Sequence, residues 1–120
     1  MNRVVHFEIH ADQPERAAQF YSRVFGWKIQ KWEGPVDYWL ASTGEGQGID
    51  GAIKWRAEPH LSTVNTIQVP SVEEFISRIE ECGGKALTPR MTIPGIGYHS
   101  FCQDTEGTVF GIMEEDSTAR

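Results

Sequence analysis

Near its start the chain reads Arg3-Val4-Val5-His6-Phe7-Glu8-Ile9-His10-Ala11, so that His6, Glu8 and His10 alternate with Val5, Phe7 and Ile9. Successive side chains of a β-strand point to opposite faces, which puts two imidazoles and a carboxylate on one side. These are the groups that hold transition metals and move protons near neutral pH. Facing a cavity, the row is a functional site; facing water, it is an ordinary polar strand face. A strand rises about 3.3 Å per residue, so His6 and Glu8 lie about 7 Å apart and can converge on one ion, whereas His6 and His10, about 13 Å apart, cannot easily do so. A tight site needs a third ligand, for which His60 and His99 are the candidates. Two other readings stand beside a metal. His6 belongs to a pocket wall, hydrogen-bonded to Glu8 or a backbone carbonyl, or it acts as a general base on a small carbonyl compound with Glu8 orienting it. A buried carboxylate without a cation is costly, so Glu8 facing a cavity must be solvated, paired with His6 or protonated. His10, near the strand end, is expected closer to the rim.

The elements that must carry these residues are legible from capping signals and periodicity. Asp12 with Glu15 makes an N-terminal capping signal and Pro14 suits a first turn. Ala17, Phe20, Tyr21, Val24 and Phe25 then form an apolar helical stripe that ends at Gly26. Strands are expected at Trp27 to Trp32, Asp37 to Ser42 and Gly51 to Arg56, separated by Gly34-Pro35 and the glycine-rich run from Gly44 to Gly48. The order then recurs: a strand from Thr63 to Val69, a capping box of Ser71 and Glu74, a stripe of Val72, Phe75, Ile76, Ile79 and Cys82, and a stop at Gly83-Gly84. Further strands are expected at Lys85 to Thr88, Tyr98 to Gln103 and Thr108 to Glu114. Setting Gly26 against Gly84, a shift of 58 residues, superimposes strand on strand and cap on cap, with His6 opposite Val64. This is the signature of two copies of one supersecondary unit. Module one spans about 1–57, a linker containing Pro59 about 56–61, and module two about 62–116.

A duplicated βαβββ unit with Phe20-Tyr21 in its first helix, Gly26-Trp27 after it, Pro94-Gly95-Ile96-Gly97-Tyr98, and the closing run Asp104-Thr105-Glu106-Gly107-Thr108-Val109-Phe110-Gly111 resembles the vicinal oxygen chelate superfamily. That group contains glyoxalase I, bleomycin-resistance proteins and extradiol dioxygenases, and the resemblance is closest to proteins described as lactoylglutathione-lyase-related. It runs from Val4 to about Glu115. It implies an α+β fold in which two tandem βαβββ modules form curved mixed sheets around a concave cavity, in a homodimer. In metal-dependent members four ligands sit there, two on the first strands of the modules and two on the last. Carried across, the first position is His6; the others fall at Val64, at about Gly51 and at Gly111, none of which can ligate. The neighbours Ala52 and Ile53 are no better.

The aromatic residues give a second line. Trp27, Trp32, Tyr38, Trp39, Trp55, Tyr98, Phe101 and Phe110 all lie on or beside expected strands. Core packing and a subunit interface account for most of them; the functional reading is that Trp39, Trp55 or Tyr98 lines an apolar pocket. Glycine at Gly51 and Gly111 would leave room there.

Composition excludes several classes. At 120 residues the chain is one domain's length, and 17 acidic against 11 basic residues give a net charge of −6, unsuited to a phosphate backbone or an anionic membrane. No run approaches the length of a membrane span, and the chain reads as cytoplasmic. Cys82 and Cys102 are expected as buried free thiols. The Gly44 to Gly48 run lacks the Lys-Ser/Thr ending of a phosphate loop and reads as a hairpin or lid. Asp104 and Glu106 read as turn residues.

The function expected is therefore binding of a small, partly apolar molecule, with His6, Glu8, His10, Trp39, Gly51, Trp55, Val64, Tyr98 and Gly111 around it. His6 and Glu8 are the candidate catalytic pair. No cofactor is expected, with a divalent metal on His6 the exception. The alternatives are a glyoxalase-like lyase or isomerase, using a metal or an imidazole base, and a protein-interaction domain.

Overall fold

The computed structural model describes all residues from Met1 to Arg120. The element order is β1 (Val4–Ala11), α1 (Pro14–Phe25), β2 (Lys28–Lys31), β3 (Tyr38–Ser42), β4 (Gly51–Trp55), β5 (Thr63–Gln68), α2 (Val72–Glu81), β6 (Lys85–Ala86), β7 (Met91–Ile93), β8 (Gly97–Gln103) and β9 (Val109–Glu115). This is the expected α+β pattern of two tandem βαβββ modules, with β7 as an additional short strand. Two compact units result, one of Val5–Val64 and one of Asn65–Arg120 together with Met1–Val4. The first residues join the second unit through bonds from Asn2 N–H to the Gln68 carbonyl and from Gln68 N–H to the Arg3 carbonyl.

In the first unit the strand order is β2-β3-β4-β1, with β1 and β4 parallel and the other pairs antiparallel. Glu8 pairs with Ala52 and Ala52 with Leu40, while His10 pairs with Lys54 and Lys54 with Tyr38. Paired residues share a face, so Glu8, His10, Tyr38, Leu40, Ala52 and Lys54 look to one side. Phe7, Ile9, Gly51, Ile53 and Trp39 look to the other. Helix α1 packs on that second side, where Tyr21 stacks on Trp27 at 4.9 Å and Trp27 meets Phe7 at 5.6 Å.

The expected start of α1 is shifted. Its N-cap is Gln13, which makes no side-chain capping bond, because Pro14 takes the first helical turn and Asp12 instead accepts from Arg56 Nε at 3.0 Å. Its end is as expected, at Gly26 with φ 75°. The capping of α2 is also as expected: Ser71 Oγ accepts from Glu74 N–H at 3.2 Å.

In the second unit β5 runs parallel to β9, β9 antiparallel to β8, and both β6 and β7 pair with β8. Val69, Val72, Cys102 and Ile112 form its buried core, with Phe75, Ile76 and Ile79 of α2 packed on it. Strand β6 stops two residues earlier than expected because Leu87 N–H and Thr88 N–H both point to the Phe101 carbonyl, a bulge that ends regular pairing. β7 escapes the sequence signal because it is a three-residue segment between prolines, ordered only by pairing with β8 across the Pro94-Gly95 turn. Cys102 is a buried free thiol, but Cys82 is exposed, at the C-cap where α2 has already left the core. Asp104 Oδ1 accepts from the N–H groups of Glu106 and Thr108, the turn role expected of it. No helix is long and apolar enough to cross a membrane.

Candidate functional site

Strand alternation and the pairing of β1, β4 and β3 bring four polar side chains of the first unit into one hydrogen-bonded chain. His10 Nε2 donates to Glu8 Oε1 at 3.0 Å, Tyr38 Oη donates to Glu8 Oε2 at 2.8 Å, and His6 Nε2 lies 2.9 Å from Tyr38 Oη. The His6 and Tyr38 rings lie 14° from parallel. Tyr38 is on β3 and Glu8 on β1, with β4 between them, so the phenol crosses about 10 Å of sheet. The β4 residue on that face, beside Glu8, is Ala52, which is fully buried and has only a methyl group to put in the way.

The hydrogen count along this chain fixes the tautomers. An ionised carboxylate only accepts, so both bonds to Glu8 carry their hydrogens on Tyr38 and His10. The phenol has one hydrogen and spends it on Glu8; toward His6 it can only accept. His6 therefore carries hydrogen on Nε2, and in its neutral form Nδ1 is a bare lone pair.

Electrostatics agree with that assignment. Burial works to raise the Glu8 pKa, but the bonds from His10 and Tyr38 and the nearby Lys54 charge outweigh it, and the carboxyl sits below its ordinary range. Burial, followed by the Glu8 charge and its hydrogen bond, drives the Tyr38 hydroxyl far above its ordinary value. Burial also lowers the His6 pKa against the opposing pull of Glu8 and Asp50, which favours neutral imidazole. His10 is 5% exposed and its Nδ1 is buried with no partner.

The surroundings are mixed in polarity. Trp32 packs edge-on against Tyr38 at 6.0 Å, and Gly34 lies directly against the Trp32 ring, which would have to shift for any larger residue there. Leu40, on the same sheet face as Glu8, is 42% exposed.

Of the residues expected around a site, His6, Glu8 and His10 belong to this chain. His10 is buried rather than at a rim, because its ring turns in to Glu8. Trp39 lies on the α1 side of the sheet, with Lys31 Nζ 5.5 Å from its ring. Trp55 shares that parity and is exposed. Val64 is buried in β5. Tyr98 packs beside the α2 core with the Arg90 guanidinium 4.1 Å from its ring. The room expected at the two glycines is filled. A Cβ on Gly51 would meet the Phe7 ring at 2.5 Å, and one on Gly111 would meet His99 Nε2 at 2.7 Å and Thr66 Oγ1 at 3.0 Å. Tyr38 is the residue that sequence reasoning passed over as one aromatic among many. Its parity with His6 depends on two strand registers, and the one local signal was its alternation with Trp39.

These residues do not fit a metal ion held as the superfamily holds one. Val64, Gly51, Ala52 and Gly111 carry no donor side chain, and no group of three or more His, Cys, Asp or Glu is placed to converge on an ion.

Comparison with known proteins agrees with the fold. Residues 3–44 match the family of bleomycin resistance protein-like N-terminal domains. Among solved structures, a hypothetical protein of Bacillus halodurans C-125 superimposes with a TM-score of 0.74 at 16% identity, over 99% of this chain and 98% of that one. Methylmalonyl-CoA epimerase of Mycobacterium tuberculosis gives 0.72 at 11% identity, over 94% and 87%. At these identities the likeness is one of fold. A glyoxylase-like domain-containing protein of Didymella fabae is 31% identical over 112 residues, covering 88% of both chains. With that match the chain belongs to the glyoxylase-like proteins of the vicinal oxygen chelate superfamily.

Proposed function

We propose that this protein binds a small, partly apolar molecule on the His6 face of the first unit's sheet. The observation that carries the reading is the Tyr38 to Glu8 hydrogen bond, which holds His6 as the Nε2–H tautomer and leaves Nδ1 as an acceptor for a ligand hydroxyl, amide or acidic hydrogen. Leu40 and Trp32 supply apolar surface near it. A screen of small hydroxylated and carbonyl compounds by chemical-shift perturbation tests this. Saturable shifts at His6, Tyr38 and the Trp32 indole, lost in His6→Ala, are expected; silence of those signals across a broad panel overturns it.

The same geometry favours a second reading, in which binding leads to proton transfer. A neutral imidazole whose far nitrogen donates to a phenol backed by a carboxylate is arranged as a general base. His6 Nδ1 would take a hydrogen from carbon beside a ligand carbonyl, the electron pair of the broken C–H bond moving into the carbonyl, and return it to the same or a neighbouring carbon, as in an isomerase or lyase. Incorporation of solvent deuterium into a bound carbonyl compound, abolished by His6→Gln, distinguishes this reading from binding alone.

A further inference from the structure

Lys54 stands on β4 with Tyr38 beside it on β3 and His10 beside it on β1, on the face that carries the hydrogen-bonded chain. It is half-buried and has no carboxylate within ion-pairing distance. Its charge reaches Glu8 without a direct bond, and both Glu8 oxygens are already occupied, one by His10 and one by Tyr38. An ammonium has three donors and no acceptor, and with no carboxylate bonded directly to it Lys54 is free to take a further anion. Leu40, two residue pairs further along on the neighbouring strand and a diagonal neighbour at about 7–8 Å, offers exposed apolar surface on the same side.

We propose that Lys54 anchors the anionic end of the ligand, which is a small carboxylic acid with an aliphatic body: the carboxylate pairs with the Lys54 ammonium and the body lies over Leu40. This rests on the reading that the His6 face is a small-molecule site, and it names the class of molecule. Asp50, whose charge also reaches His6, sets the opposite sign at the other end of the row. There its Oδ1 accepts from Thr43 N–H and lies 3.2 Å from the Thr43 hydroxyl.

The probes are octanoate and octanamide, alike in length and body and different in charge, titrated by calorimetry with amide and indole spectra to locate the binding. Octanoate is expected to bind at least tenfold more tightly than octanamide, with shifts at Lys54, Leu40 and the Trp32 indole, and to weaken with added salt. Lys54→Gln should bring octanoate down to the octanamide level and leave octanamide unchanged, while Lys54→Arg should keep the preference. Equal binding of both probes to the native protein overturns the inference and spares the small-molecule reading. A preference that survives in Lys54→Gln overturns it too and shows that Lys54 serves only Glu8. Binding of neither probe also overturns it, whereas the small-molecule reading is judged on the wider panel.

Discussion

Tyr38 donates its one hydroxyl hydrogen to Glu8 at 2.8 Å across an intervening strand, and by doing so decides which nitrogen of His6 is protonated. A phenol used in this way is a hydrogen-bond relay, and its removal breaks two contacts at once. Tyr38→Phe should destabilise the protein by about 2 kcal/mol, the scale of a hydrogen bond to a charged group. It should also mix the His6 tautomers. Chemical denaturation reads the first effect and histidine nitrogen shifts the second; a variant of native stability with an unaltered His6 spectrum would refute the relay.

Stability should fall on acidification in two overlapping steps of the same sign. The His6 pKa lies below its ordinary 6.5, so just under that pH the unfolded chain binds more protons than the folded one and the folded state loses ground. The Glu8 pKa lies below its ordinary 4.5, so its contribution is complete above that pH and is lost as pH falls through the folded value. Melting temperature followed from about pH 7.5 down to about pH 4 should therefore decline throughout. His6→Gln should flatten the upper part and leave the lower.

Alkaline titration tests the burial of the relay directly. Of the three tyrosines, Tyr38 should stay protonated through the range in which an ordinary phenol ionises near 10. Tyr38→Phe should then leave the phenolate absorbance of the native protein unchanged near that pH. A fall in the signal would show an exposed phenol instead.

Ala52 is the passage through which Tyr38 reaches β1. A leucine there would overpack a fully buried position, at a cost of about 1–3 kcal/mol, and would push the phenol off Glu8. Ala52→Leu is therefore expected to return Tyr38 to ordinary ionisation, readable in the same alkaline titration, whereas Ala52→Gly should not.

The two helix starts predict opposite responses. Ser71→Ala removes a capping bond and should cost about 1 kcal/mol, while Gln13→Ser adds one to an uncapped helix and should gain up to about that much. Thermal and urea denaturation of the pair provide the check. A neutral Gln13→Ser would mean that the first turn of α1 is satisfied by water.

How far the sequence carried depended on the range of the interaction. The duplicated modules, the Gly26 stop and the Ser71 cap depend on residues within a turn of one another, and each is visible in the chain. The shift from Asp12 to Gln13 turned on a partner, Arg56, that is 44 residues away. For the site, alternation correctly grouped His6, Glu8 and His10 on one face of β1. It said nothing about Tyr38, because the face of β3 that meets them is set by the registers of β4 with both neighbours. Trp39 and Gly51 fell to the other side for the same reason, since a one-residue slip in register exchanges the faces.

Gly111 carries a consequence for any attempt to rebuild a metalloenzyme on this chain. The superfamily's carboxylate would have to enter at a position where the His99 imidazole already occupies the volume of the first side-chain carbon. Restoring the acid alone would first have to displace the His99 ring, whose Nε2 would lie 2.7 Å from the new Cβ, and crowd the Thr66 hydroxyl at 3.0 Å. The acid therefore enters only if the His99 side chain moves aside or is replaced by a smaller one. At Gly111 the module's own packing leaves no opening, because the His99 and Thr66 side chains fill it.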